Sequence, residues 1–231
     1  MGFEYVRGMK GKKIFRNASK TYDLLENPMI ELSHAKKNKK VILVTGTPGV
    51  GKTVVARMLA SRLNANYVNL GELIERENLI LGVDEERGTL IADKDKVSKR
   101  LKKIMEASDR DVIVDGHYAT DFVPAERVHL VFVLRRDPDE LKGLMERRGF
   151  RERKLWENLA AEILDVCLWD AVKACGSDKV GEVDASGKGT SEVVEEIISI
   201  LEGKRAWRVG TVDWLGKLEK EGRLSEFFKA L

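Results

Sequence analysis

Residues 41 to 53, VILVTGTPGVGKT, restrict what this chain can fold into more than any other stretch. Val41 to Val44 is a short apolar run of the kind that forms a strand buried on both faces. It leads straight into Gly46-Thr47-Pro48-Gly49-Val50-Gly51-Lys52-Thr53, which fits G-x-x-x-x-G-K-[ST]. The glycines let the backbone turn tightly enough for several amide N–H groups to converge on an anion. A helix beginning near Gly51 adds the positive end of its dipole. Behind it Val55, Met58, Leu59 and Leu63 recur at helical spacing. Lys52 is then placed to reach the β- and γ-phosphates of a nucleotide, and the Thr53 hydroxyl to hold Mg²⁺. Strand, loop and helix together imply a nucleoside triphosphate site rather than a glycine-rich turn with a chance lysine.

Similar elements recur downstream. Residues 66 to 70 read as a short strand or extended link, and a helix opens at Gly71-Glu72-Leu73-Ile74. Leu81 to Ile91, with two glycines and four charges, reads as a mobile surface excursion. Asp93 to Ala107 is helical, with Val97, Leu101, Ile104 and Met105 on one face. Val112 to Val114 is a second buried strand ending on Asp115. A carboxylate at the end of such a strand sits where open α/β sheets carry ligands, so Asp115 is the candidate for organising Mg²⁺ or its water. His117, two residues on, is open to either a site role or a structural one. Its ordinary pKa of about 6.5 would suit a base. His129 reads as packing within the next strand, Val128 to Leu134, and His34 has a weaker claim still.

After Pro138, Leu141, Leu144 and Met145 mark another helix. It is interrupted by Arg147-Arg148-Gly149-Phe150-Arg151-Glu152-Arg153. Guanidinium forks match phosphate oxygens, so this segment can close over a transferring group and exclude water. One long helix is expected over roughly 152 to 174, with Leu155, Leu159, Ile163, Val166 and Trp169 or Asp170 tracking its buried stripe. A late strand at 179 to 183 and a helix at 191 to 201 complete a doubly wound α/β sheet with helices on both faces. The loop 184 to 187 lies where an adenine base is often met.

Charge divides the chain. Residues 1 to 40 hold ten Lys or Arg against four Asp or Glu, so with +3 overall the remainder carries −3. The arm, residues 1–39, reads as a loosely ordered tail or over-extended start, a small appendage, or a non-specific RNA contact through its lysine clusters. No run is long enough to span a bilayer, and the first residues lack a secretory apolar segment, so a cytoplasmic protein without membrane contact is expected. Cys167 and Cys175 fall in one expected helix about 12 Å apart, too far for a disulfide, and fit reduced thiols. No cluster has zinc-site spacing. The tail, residues 202–231, holds Trp207, Trp214, Leu218, Phe227 and Phe228. It reads as a turn, a short helix capped by Thr211 or Asp213, and a last amphipathic turn, either docked on the body or facing a partner.

GTPGVGKT (46–53), VNLGEL (68–73), VIVDGHY (112–118), VFVLRRDP (131–138) and ERRGFRERKLWENLAAEILDV (146–166) together resemble the adenylate kinase 6 family, of the CINAP type, most like an archaeal member. The resemblance covers about 40–201. It implies a P-loop NTPase fold: three α/β/α layers around a mostly parallel sheet, of the nucleoside monophosphate kinase type. ATP and Mg²⁺ would be held by residues 46 to 53, with Thr53 and Asp115 as metal ligands. Asp115 and His117 would fill the family's Asp-x-His motif, and Arg135 would lie near the nucleotide. AMP would bind at about 69–95, where residues 81 to 91 could close over it, and a lid at about 146–156 carrying Arg148 would close over ATP. The implied reaction is ATP + AMP giving two ADP, with an ATPase activity besides. Transient binding to ribosomal protein uS11 and a part in small-subunit RNA maturation are implied as well. An ATP-driven assembly factor and a nucleotide-gated binding module without turnover are the alternatives. The basic arm departs from the family pattern, since the loop normally sits almost at the N-terminus.

Overall fold

The computed structural model describes residues 39–85 and 89–228. Most of the basic arm, including His34, and the readings attached to it therefore lie outside the described residues. Five parallel strands form the central sheet: β1 (Val41–Gly46), β2 (Asn66–Asn69), β5 (Val112–Asp115), β6 (Leu130–Arg135) and β7 (Val180–Asp184), in the order β2-β5-β1-β6-β7. Successive side chains on a strand point to opposite faces. Ile42, Val44, Ile113, Phe132 and Leu134 enter one core layer. Val41, Leu43, Val114, Val131 and Val133 enter the other. Both faces being covered explains why β1, β5 and β6 read as apolar runs.

The first face is covered by α1 (Lys52–Leu63), α5 (Pro138–Arg147), α6 (Glu152–Ile163) and α8 (Thr190–Leu201). The second is covered by α2 (Leu70–Arg76), α3 (Lys94–Ala107), α4 (Ala119–Phe122) and α7 (Val166–Cys175). The result is the three-layer parallel α/β fold of P-loop NTPases.

Two expectations change. The single helix over 152 to 174 is in fact α6 and α7, separated at Leu164 and Asp165, where Asp165 adopts φ 58°. Leu155, Leu159 and Ile163 pack on the first face, whereas Cys167, Leu168 and Ala171 pack on the second. The chain therefore crosses from one face to the other at this break. Val166 is exposed, and the buried stripe moves to Cys167, Leu168, Ala171 and Cys175. The excursion at 81 to 91 is replaced by an antiparallel pair, β3 (Ile80–Asp84) with β4 (Thr89–Ala92), which leaves Leu81, Val83, Leu90 and Ile91 exposed.

The tail docks on the first face. Asp213 caps α9 (Trp214–Lys220), accepting the Gly216 N–H at 2.7 Å. Trp207, Val212, Trp214, Leu218 and Phe227, the last from α10 (Leu224–Phe227), share a core with α6. Arg223 grips Asp139 of α5 through two bonds of 2.8 and 2.9 Å, and Lys217 meets Asp137 at 2.5 Å. Among the described residues no helix is long and apolar enough to cross a membrane.

Candidate active site

The loop after β1 forms because Gly46 is glycine. It sits at φ 135° beside β6, where a Cβ would lie 2.4 Å from the Leu134 carbonyl oxygen. Gly49 and Gly51 also take positive φ, and Gly51 is the N-cap of α1. Lys52 folds back over the loop, its Nζ donating to the Gly46 carbonyl at 2.8 Å and the Thr47 carbonyl at 3.0 Å. Burial lowers the Lys52 pKa, while Asp115 and Glu162 work to keep it charged. The Arg148 guanidinium, exposed on the segment after α5, adds a repulsive charge felt at Lys52.

Asp115 ends β5 beside the loop and is 2% exposed. Its Oδ2 accepts the Thr53 hydroxyl at 2.7 Å, the Tyr67 hydroxyl at 3.1 Å and the Asn69 amide at 3.1 Å. Thr53 and Asp115 are thus brought together from α1 and β5. A hydroxyl and a carboxylate make a hard-oxygen pair that suits Mg²⁺. Among the described residues no group of three or more His, Cys, Asp and Glu side chains gathers as a metal cage.

His117 lies under the loop. Gly46 O can only accept, so His117 Nδ1 carries the proton in their 3.1 Å contact. Cys167 Sγ lies 3.5 Å from the same nitrogen. Burial, reinforced by the Lys52 charge, lowers the His117 pKa to about 4. The imidazole is therefore neutral at pH 7, with Nε2 left as an acceptor. Burial pushes the neighbouring Cys167 thiol up to about 12, which makes it inert. Thr47 is fully buried, and its hydroxyl donates to Glu162 Oε2 at 2.5 Å, away from where phosphates would sit.

Arg135, expected near the nucleotide, is held in a buried carboxylate network. It is 1% exposed and donates to Glu162, Asp165 and Glu182. Its Nη2 also donates to the Glu162 carbonyl at 2.8 Å, which holds the end of α6. Burial alone would lower its pKa, but the three carboxylates raise it further. The residue facing the loop is its neighbour, Arg136, whose Nε lies 3.3 Å from Val50 O. Tyr67 and Asn69 were also not anticipated as partners of Asp115; their shared face on β2, two residues apart, was the available signal. Pro48 and Val50 occupy the loop itself, with Val50 buried.

This geometry places the protein among P-loop NTPase-like enzymes that transfer or hydrolyse phosphoryl groups. Shikimate kinase from Acinetobacter baumannii in complex with shikimate has the same fold, with a TM-score of 0.55 at 15% identity over 73% of this chain and 96% of that one. Shikimate kinase from Bacteroides thetaiotaomicron aligns with a TM-score of 0.51 at 22% identity, over 71% and 98%. The AAA domain family matches residues 42–165. Proteins described as "Putative adenylate kinase" are 40% identical in Methanothermobacter thermautotrophicus, over 77% of this chain and 99% of the relative, and 38% identical in Thermococcus onnurineus, over 78% and 94%. The Methanocaldococcus jannaschii relative is 35% identical over 76% and 93%. The chain belongs to this archaeal adenylate kinase family.

Proposed function

We propose that the protein is an adenylate kinase of the adenylate kinase 6 type, moving the γ-phosphoryl of ATP to AMP. The observation that carries this reading is the convergence of Lys52, Thr53 and Asp115 at one loop. The relatives' shared description supports AMP as acceptor. Thr53 and Asp115 would hold Mg²⁺, which supplies positive charge to the phosphates when bound. The AMP phosphate is itself the nucleophile, so the protein's task is alignment and charge stabilisation. Lys52 leaves its two loop carbonyls for the phosphates, and Arg148 and Arg136 bring further positive charge. A cavity of about 480 Å³ beside β2 and α2, with Arg57, Tyr67, Asn69 and Arg76 on its walls, is the place for the monophosphate.

A second activity, hydrolysis of ATP without AMP, is favoured by His117. With Nδ1 protonated against Gly46 O, the neutral imidazole has Nε2 as an acceptor, suited to orienting a water more than to removing a proton. A role in small-subunit assembly through ribosomal protein uS11 rests on the family resemblance. The exposed apolar hairpin β3–β4 is the surface a protein partner would meet.

The deciding measurement is ATP turnover with and without AMP, in the wild type and in Lys52→Ala. We expect strong stimulation by AMP and loss of turnover in the variant. Unchanged turnover in Lys52→Ala removes the site assignment, and AMP-independent turnover at the full rate removes the kinase reading.

A further inference from the structure

The aromatic tail has no part in the chemistry above, yet one of its side chains reaches the nucleotide loop through a single intermediary. The Trp214 indole N–H donates to Glu162 Oε1 at 3.2 Å. The other oxygen of that carboxylate takes the Thr47 hydroxyl. Thr47 is the second loop residue, and its carbonyl is one of the two that hold Lys52. Glu162 Oε1 also accepts the Arg136 backbone N–H at 3.1 Å, and the Arg136 side chain reaches Val50 O. One buried carboxylate therefore fixes the loop at two points.

The tail addresses the same carboxylate by a second route. Thr211 N, Thr211 Oγ1 and Val212 N all donate to Glu182 Oε2, and Glu182 Oε1 pairs with Arg135 Nη1. Arg135 Nε then returns to Glu162 Oε1 at 2.9 Å. Residues 211 to 214 thus reach Glu162 both directly and by way of Arg135. Bonds to a buried carboxylate are stronger than those between neutral groups. Trp207 provides the internal contrast. It is as buried as Trp214 on the same tail, but its indole N–H has no hydrogen-bond partner among the described residues.

We infer that Trp214 is a positioning residue for the nucleotide loop, holding Thr47 in place through Glu162. This rests on the nucleotide-site reading proposed above. The tail is then part of the binding machinery, although it lies far outside the loop in sequence.

The test is ATP affinity of the full chain, measured by calorimetry with Mg²⁺ and without AMP. Trp214→Phe keeps the ring and deletes the donor. Thr47→Val keeps the shape and deletes the hydroxyl. Each should weaken ATP binding about tenfold, the worth of one hydrogen bond to a charged group. The double variant should be no weaker than the worse single, and Thr47→Ser should restore affinity. Trp207→Phe should bind ATP like the wild type. Wild-type affinity in a folded Trp214→Phe, or additive losses in the double variant, overturns the inference. A second readout needs no change at position 214: the Trp214 indole N–H resonance should shift in Thr47→Val and on ATP addition. A resonance unmoved by either also overturns it. If the wild type binds no ATP, the site reading falls and takes this inference with it; if the wild type binds and Trp214→Phe binds equally, only this inference falls.

Discussion

His117 offers a thermodynamic test of the site that needs no substrate. Its pKa is about 4 in the folded chain against an ordinary value of 6.5. Between those values the unfolded chain takes up a proton that the folded chain refuses. Stability from this group is therefore complete above pH 6.5 and is lost as pH falls toward 4. With 1.36 kcal/mol per pKa unit, the loss is about 1.4 kcal/mol at pH 5.5 and about 2.6 kcal/mol at pH 4.5. His129, also lowered by burial, acts in the same direction. Asp165 acts in the opposite one: burial raises its pKa to about 6 from 3.8, with the Glu182 and Glu162 charges adding to the rise and Arg135 opposing it. The wild-type stability curve alone can therefore look nearly flat through this window. The informative quantity is the difference between the wild type and His117→Gln in urea unfolding at pH 7.5, 5.5 and 4.5. The variant should lose less stability on acidification, by about the amounts above. Parallel curves, or a His117 resonance titrating near 6.5, would show that the imidazole is not held neutral beneath the loop.

Asp165→Asn should do the reverse. A carboxyl whose folded pKa is raised contributes stability below its unfolded value and loses it as pH rises through 6, so the variant should forgo about 2 kcal/mol of relative gain between pH 7.5 and pH 4.5 in the same assay. Arg135→Met should cost about 3–5 kcal/mol in urea unfolding, because it leaves the Glu162, Asp165 and Glu182 carboxylates without their cation; a loss below about 1 kcal/mol would show that the network is not held by charge. Arg148→Ala should lower AMP-dependent kcat by about a hundredfold while changing ATP affinity little, as expected for charge placed on the moving phosphoryl group. A matched rise in KM with kcat intact would assign Arg148 to ground-state binding.

The parts of this fold that were legible in the sequence are those written in local pattern. β1, β5 and β6 are apolar runs because both sheet faces are covered, and the glycine and lysine spacing of the loop suits little besides a phosphate cradle. Asp115 was legible from its place at the end of a strand. Arg135 ends β6 and Arg136 follows it, and the sequence does not say which of the two enters the carboxylate network and which reaches Val50. The break between α6 and α7 was hidden for a different reason. The Arg135 guanidinium meets the Glu162 carbonyl at the end of α6, a contact between residues 27 apart. The hairpin β3–β4 was masked by its glycines and charges, although Leu81 with Val83 carried a strand's two-residue alternation. The link from Trp214 to Thr47 runs through a carboxylate distant from both in sequence, so no window on the chain could display it.

The crossing at Leu164 and Asp165 has a mechanical consequence. α6 is twelve residues long, a rod of about 18 Å. Its far end is clamped by Arg135 and Thr47 at Glu162, and its near end carries the arginine segment. A pivot of about 10° at the clamp would swing that near end by about 3 Å, the length of one hydrogen bond. If the arginines act on the phosphates as proposed, a tilt of that size would move them by the length of one hydrogen bond, about a fulcrum tied to the loop through Thr47.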